Sequence, residues 1–276
     1  FISLSGPCAN MIFACLAFAV ISMIGYTFYT TPSKIILANE VYPEIQSNAQ
    51  KSGLLTGDRI LSINGKPVSY FSEISEIITL AADETLEFVI DRDGEILTFF
   101  IPVQLDTSTG AGKIGVVNWV EPHISYIEEN SPASKAGFLP DDKIIFVNDA
   151  PIKNTVELQR ALLGLSTAHV SVLRNNSTIN LFLEIPYTED NKPVPLGIQF
   201  SVLEIKSPTY SFFPALIEGS KEAFKMLGVT IKSIGLLFKG VDAKQAVSGP
   251  IRITVMLGDT VKTGFAQGAS VGIVTA

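Results

Sequence analysis

The chain has 276 residues, 47% of them hydrophobic and 17% charged, with a net charge of −7. That length holds two modest domains plus further elements. The charge excludes a nucleic-acid binder that works by neutralising phosphates: residues 34–207 carry 13 basic against 23 acidic side chains, and only residues 208–276, with 7 against 4, lean positive.

Residues 1–33 contain no Asp, Glu, Lys or Arg. Within them Cys8 to Tyr29 is a mostly apolar run that, as a helix at ~1.5 Å per residue, reaches ~33 Å, the thickness of a bilayer core. Tyr26 and Tyr29 stand where an interfacial aromatic belt belongs, with Lys34 just beyond. A transmembrane helix is therefore expected over residues 1–33. The competing reading, a secretory signal peptide, lacks a basic leading region and has too long an apolar run. Both cysteines, Cys8 and Cys15, lie in this run, ~10 Å apart along one helix and too far for a disulfide within it. Small apolar packing residues describe them best.

The middle of the chain repeats itself at an offset of 84 residues. Gly53-Leu54-Leu55-Thr56-Gly57-Asp58-Arg59-Ile60-Leu61-Ser62-Ile63-Asn64-Gly65 aligns with Gly137-Phe138-Leu139-Pro140-Asp141-Asp142-Lys143-Ile144-Ile145-Phe146-Val147-Asn148-Asp149. Gly and Asp make a turn into a short strand anchored by Ile60 and Ile63, or by Ile144 and Val147. Asn64-Gly65 and Asn148-Asp149 accept positive φ and close a tight hairpin. Asp141-Asp142 reads as a turn.

Each copy continues alike. A helix is expected over Ser72–Ala81, capped by Ser72, and another over Thr155–Leu165, where Asn154 and Glu157 have capping-box spacing. Two strands follow around a turn: Thr85–Asp91 and Glu95–Val103 across Asp93-Gly94, then His169–Leu173 and Thr178–Ile185 across Asn175-Asn176. Last comes a glycine between apolar residues entering a strand, Ile114-Gly115-Val116 and Leu196-Gly197-Ile198, now at an offset of 82.

The run Gly53-Leu54-x-x-Gly57-Asp58-x-Ile60-x-x-Ile63-Asn64-Gly65-x-x-Val68 resembles the signature of PDZ domains. With the apolar-Gly-apolar strand at the end, the order of elements is similar to the circularly permuted PDZ domains of bacterial proteases. That resemblance implies binding of extended peptides, often C-termini, by strand addition. The turns at Ile114, Gly115 and Val116 and at Leu196, Gly197 and Ile198 would present backbone N–H groups to a carboxylate, and glycine there lets the backbone approach a ligand. The bland reading is that each glycine only permits a bend.

The ends narrow the family. Gly6-Pro7-Cys8-Ala9-Asn10 opens the apolar run, and Ser248-Gly249-Pro250-Ile251 stands near the other end. With two PDZ-like repeats between them, this set is similar to the middle of site-2 proteases of the RseP type, intramembrane zinc metalloproteases that cut a transmembrane anti-sigma factor. The resemblance covers about residues 4–276. It implies that Asn10 neighbours an active site; a polar residue that stabilises helix packing is the alternative. Residues 212–239 read as a long amphipathic helix with Leu216, Ile217, Phe224, Leu227, Ile231, Ile234 and Phe238 on one stripe, lying on a membrane surface or against a catalytic core. Ser270–Ala276 looks like the start of a further membrane helix.

The expected fold is thus α+β: a transmembrane helix (1–33), two circularly permuted PDZ-like domains in tandem (34–119 and 120–206), then an amphipathic helical region leading into a membrane helix (207–276). A zinc hydrolase of this type needs His-Glu-x-x-His on one helix and a third ligand from a later one. Neither is in this sequence; His123 and His169 are the two histidines, and they read as ordinary domain residues. No catalytic residue and no zinc ligand is assigned to this chain, and a piece of a larger protease explains that more simply than a degenerate enzyme. The resemblance then implies zinc in the parent protein and a segment governing substrate admission. It would work by size exclusion or by gripping a newly exposed C-terminus, on the periplasmic side of a bacterial inner membrane. Partners would be a transmembrane substrate like an anti-sigma factor, peptide C-termini and membrane lipid. The alternative from another class is a non-catalytic membrane-tethered PDZ scaffold or adaptor.

Overall fold

The computed structural model describes residues 2–42, 44–45, 47–107, 110–188 and 194–237. The Ser248-Gly249-Pro250-Ile251 motif, Phe238 and the expected final membrane helix lie outside the described residues. The architecture is mixed α/β, in two compact units: one runs to Asn118 and resumes at Leu203, and the other covers Trp119–Val202.

The first unit opens with α1 (Ile2–Ile24), followed by β1 (Thr27–Thr30), β2 (Ile35–Leu37), α2 (Ala38–Val41), α3 (Asn48–Lys51), β3 (Arg59–Ile63), β4 (Lys66–Pro67), α4 (Phe71–Leu80), β5 (Thr85–Arg92), β6 (Glu95–Pro102), β7 (Gln104–Leu105), β8 (Gly112–Lys113) and β9 (Val116–Asn118). The second unit contains β10 (Ile124–Ile127), α5 (Pro132–Ala136), β11 (Lys143–Val147), β12 (Ala150–Pro151), α6 (Thr155–Leu162), β13 (Thr167–Arg174), β14 (Ser177–Glu184) and β15 (Ile198–Phe200). The chain then supplies β16 (Leu203–Lys206) and α7 (Phe212–Leu237), both part of the first unit.

The sequence repeat is a structural repeat. Each unit has a four-stranded antiparallel sheet, ordered β4-β3-β5-β6 in one and β12-β11-β13-β14 in the other, and a separate two-stranded pair, β2-β9 or β10-β15. A bulge recurs at the same place, between Ile60 and Ser62 and between Ile144 and Phe146. Both copies of the long hairpin close on two residues with positive φ, Asp93 (52°) and Gly94 (92°), then Asn175 (48°) and Asn176 (59°), which matches the twist of the flanking strands. The cores correspond position by position: Ile60, Ile63, Ile74, Phe88 and Ile101 in one, Ile144, Val147, Leu158, Val170 and Leu183 in the other. The offset changes from 84 to 82 inside the helix, because α4 has 10 residues and α6 has 8.

Helix ends differ from expectation for local reasons. α4 starts at Phe71, with Tyr70 and not Ser72 as its N-cap. The Glu73 carboxylate accepts from the amides of Ser69 (2.7 Å) and Tyr70 (3.1 Å), which fixes the first turn earlier, and Ser72 Oγ instead accepts from Thr30 Oγ1 at 3.1 Å. α6 ends at Leu162 because Leu163 is extended (φ −62°, ψ 126°). Asn154 caps it by accepting from Glu157 N at 2.9 Å, but the Glu157 carboxylate reaches the amide of Lys153 and not that of Asn154, so only half of the expected box forms.

α1 and α7 pack along each other through small residues. Ala215, Gly219 and Ala223 are the buried face of α7, and a Cβ on Gly219 would lie 2.4 Å from Ala19 N and 2.8 Å from Cys15 O. Helix backbones approach this closely only where side chains are missing. Of the apolar stripe expected to face a membrane surface or a catalytic core, Ile217, Phe224, Leu227 and Ile231 are exposed, as are Phe13 and Ile24 of α1. Among the described residues no helix is long and apolar enough to cross a membrane.

Candidate functional site

The two glycine turns are built alike. In the first unit Ala49 N donates to Ile114 O at 2.9 Å, and Ala38 N donates to Gly115 O at 2.9 Å. In the second, Ala133 N donates to Leu196 O at 3.1 Å and Glu128 N to Gly197 O at 2.9 Å. Two successive carbonyls are thus satisfied from inside the domain. In a trans peptide the N–H lies opposite its C=O, so the amides of Gly115 and Val116, and of Gly197 and Ile198, are directed away from those donors. With positive φ at Gly115 (81°) and Gly197 (73°), consecutive amides come onto one side of each turn.

A strand edge adjoins each turn. β9 pairs with β2 in the register Leu37↔Val116 and Ile35↔Asn118. The polar groups of Ile35 and Leu37 are turned from β9: Ile35 N donates to Asp58 O, Leu37 N to Thr56 Oγ1. By the alternation of an antiparallel ladder, the N–H and C=O of Val116 and Asn118 face the opposite edge, which no described strand occupies. β15 stands in the same relation to β10, with Ile127 opposite Ile198.

Close approach is what requires glycine here, but the approaching group is the chain itself. A Cβ on Gly115 would lie 2.8 Å from Ser47 Cα, and one on Gly197 would lie 2.3 Å from Ser131 Cβ. Ser47 and Ser131 are the N-caps of α3 and α5: each Oγ accepts from an amide three residues on, Gln50 at 3.2 Å and Ser134 at 3.1 Å. Ser47 Oγ also donates to Gly115 O at 2.8 Å. Each turn is therefore seated on a capped helical turn.

Behind the turns lie two ion pairs absent from the sequence-based expectations. Arg92 donates through Nε and Nη2 to Asp58 at 2.8 and 2.7 Å and through Nη2 to Gly53 O at 2.8 Å. Arg174 donates to Asp142 at 2.6 Å twice and to Gly137 O at 2.8 Å. Both carboxylates are buried, and each also accepts from the backbone, at Leu55 N and Leu139 N. The backbone of the same aspartates holds the strand behind each turn: Asp58 O accepts from Ile35 N, and Asp142 O from Ile124 N. Asp141 does occupy a turn, with φ 70°, but Asp142, expected beside it as a turn residue, is a buried clamp. The hydrogen bonds to these aspartates hold both guanidinium pKa values above the ordinary arginine range, against a smaller opposing effect of burial. The retained spacing was the available signal: Ser47/Ser131 and Asp58/Asp142 repeat at 84, Arg92/Arg174 at 82.

Other candidate residues stay apart. Asn10 lies exposed on α1. His123 Nδ1 is 3.0 Å from Ser201 Oγ, and His169 lies edge-on to Phe182 at 5.3 Å. Among the described residues no three His, Cys, Asp or Glu side chains converge as metal ligands, so they do not fit a zinc site.

Residues 1–274 match peptidase family M50. The chain belongs to peptidase family M50. It is 32% identical over 274 residues to a protein of Treponema pallidum named as a zinc metalloprotease, covering 99% of this chain and 61% of that one. It is 24% identical over 286 residues to the regulator of sigma-E protease RseP of Escherichia coli, covering 94% and 61%. This M50 chain thus spans about three fifths of the length of these relatives. Among solved structures, the PDZ domain of an SdrC-like protein from Listeria monocytogenes is similar to 30% of this chain over 90% of its own, at 12% identity and a TM-score of 0.26. A likeness that weak adds nothing to the fold, which rests on strand order and register.

Proposed function

We propose that this chain is the substrate-admission portion of a membrane-embedded zinc metalloprotease, with two circularly permuted PDZ-like domains (34–119 and 120–206) that receive extended peptide ends. The observation that carries this reading is the repeated pairing of outward amides, at Gly115–Val116 and Gly197–Ile198, with a strand edge that no described strand occupies. Such a pairing suits a peptide carboxylate followed by an added strand. Zinc and the catalytic groups belong to other parts of the protease. The outward apolar side chains of α1 support membrane insertion of this helix, and the substrate class is a transmembrane protein like an anti-sigma factor, trimmed to expose a new C-terminus.

The test is hydrogen exchange on the whole protease in nanodiscs, with a ten-residue peptide ending in an apolar residue and a free carboxylate. We expect slowed exchange at Gly115–Asn118 and Gly197–Phe200. The C-terminally amidated peptide should bind about tenfold more weakly, or worse, since hydrogen bonds to a charged group contribute ~1.5–3 kcal/mol. No protection at millimolar peptide would reject gripping and leave size exclusion.

Placement on the periplasmic side of a bacterial inner membrane is checked separately. A Ser177→Cys variant, in a background without Cys8 and Cys15, should react with an impermeant maleimide in intact spheroplasts. Labelling only after lysis would reverse the orientation.

A further inference from the structure

The helix beside the first glycine turn is held by two elements outside the repeated domain. At its start, Phe71 N donates to Thr31 O at 2.9 Å, Thr30 Oγ1 donates to Ser72 Oγ at 3.1 Å, and Tyr70 meets Phe28 edge-on at 6.5 Å. These contacts join α4 to β1, which follows α1. In its middle, Glu76 Oε1 accepts from Lys225 Nζ of α7 at 2.8 Å, and Glu222 lies 3.6 Å from the same ammonium. At its end α4 touches the strand that leads into the turn: a Cβ on Gly112 would lie 2.2 Å from Ile78 O and 3.1 Å from Ala82 N. An unbroken line of contacts thus runs from the Gly115 turn through β8 and α4 to Lys225. The hydrogen bond to Glu76 is the main reason the Lys225 pKa stands above its ordinary value. In the second unit, no ion pair among the described residues involves α6.

We infer that the Glu76–Lys225 pair couples the first glycine turn to α7, so that a peptide held at Gly115 changes the packing of α7 and a peptide held at Gly197 does not do so by this route. This rests on the reading of the turns as peptide sites. The physical requirement is that peptide seated along β9 shifts α4 relative to the ammonium; a contact with no preference between the free and bound positions would transmit nothing. Lys225 and Glu76 are each 43% exposed, and pairs of that kind are modest, so the expected change in α7 is about two- to fivefold.

Hydrogen exchange on the whole protease in nanodiscs, with the same peptide, tests it. In the wild type, peptide should slow exchange at Gly115–Asn118 and also change it about two- to fivefold over Leu216–Gly228 of α7. In Lys225→Gln the turn should still be protected while α7 no longer responds, and the exchanged pair E76K/K225E should restore the response. Protection at the turn without any change in α7, or an α7 response that persists in Lys225→Gln, overturns the coupling and leaves the peptide sites standing. Failure of the exchanged pair to restore the response in a protein whose turn is protected overturns it as well. No protection at either turn overturns both readings together.

Discussion

Replacing Asp142 with alanine is expected to unfold the second repeated domain locally, at a cost of about 3–5 kcal/mol. The carboxylate has no exposed side-chain surface, and its partner Arg174 retains 21%. It receives two guanidinium bonds and one from Leu139 N. Alanine removes all three hydrogen bonds at once and leaves a half-buried cation without its counter-charge, a loss that reaches the lower end of a small domain's whole stability, ~5–15 kcal/mol. The neutral isostere Asp142→Asn keeps the shape and should cost less, about 1.5–3 kcal/mol, the range for hydrogen bonds to charged groups. Exchange at β11, β13 and β14 reports the outcome. Wild-type protection there in D142A would mean that the clamp is dispensable. The pH dependence has a definite sign. Arg174 titrates higher in the folded protein than in the unfolded chain, so its contribution is complete below the unfolded value and lost only as pH rises through the folded one. That window is strongly alkaline, and stability from this arginine should be flat across neutral pH.

The clamp also shows where the amino-acid sequence is legible and where it is not. Local rules located the hairpin turns, because Asn64, Asn148 and Asn175 sit where a tight turn demands positive φ and side chains of that kind tolerate it. They also locate α4 and α6 to within a few residues, and the apolar faces that fill each core, but not the short helices α2, α3 and α5. Asp142 escapes those rules because a polar residue in a turn is ordinarily solvated, and nothing adjacent in sequence reveals an arginine 32 positions on. Only the recurrence of both partners, at Asp58 and Arg92, marks them as a pair. The α1–α7 contact was hidden for the opposite reason. An amphipathic reading ranks residues by hydrophobicity and marks Ile217, Phe224 and Leu227 as the face toward a membrane or a catalytic core, but it says nothing of Ala215, Gly219 and Ala223, where the backbones of α1 and α7 meet. Large apolar side chains left outside are costly in water and suited to lipid. At the candidate site, sequence found both glycines but not the serines that require them.

Gly197→Ala should therefore be among the most damaging single-methyl additions in the chain, costing about 2–4 kcal/mol. An L-residue at φ 73° costs ~1–2 kcal/mol by itself, and the added Cβ would stand 2.3 Å from Ser131 Cβ and 2.6 Å from its Oγ. Relief of that overlap moves Ser131 off its cap on Ser134 N, a further ~1 kcal/mol. Gly115→Ala meets Ser47 at 2.8–2.9 Å and should cost less. Gly65→Ala isolates the backbone effect, since its φ of 74° is similar and nothing lies within 4 Å of the new methyl; about 1 kcal/mol is expected there. Thermal or urea unfolding ranks the three, and peptide protection at Ile198–Phe200 should vanish in G197A while that at Val116–Asn118 persists. The double variant Gly197→Ala/Ser131→Gly removes the overlap but not the strained φ, so it should recover part of the loss. If G197A costs no more than G65A, or if removing the Ser131 side chain recovers nothing, the serine does not seat the turn, and the outward amides are not held in place by the capped helix beneath them.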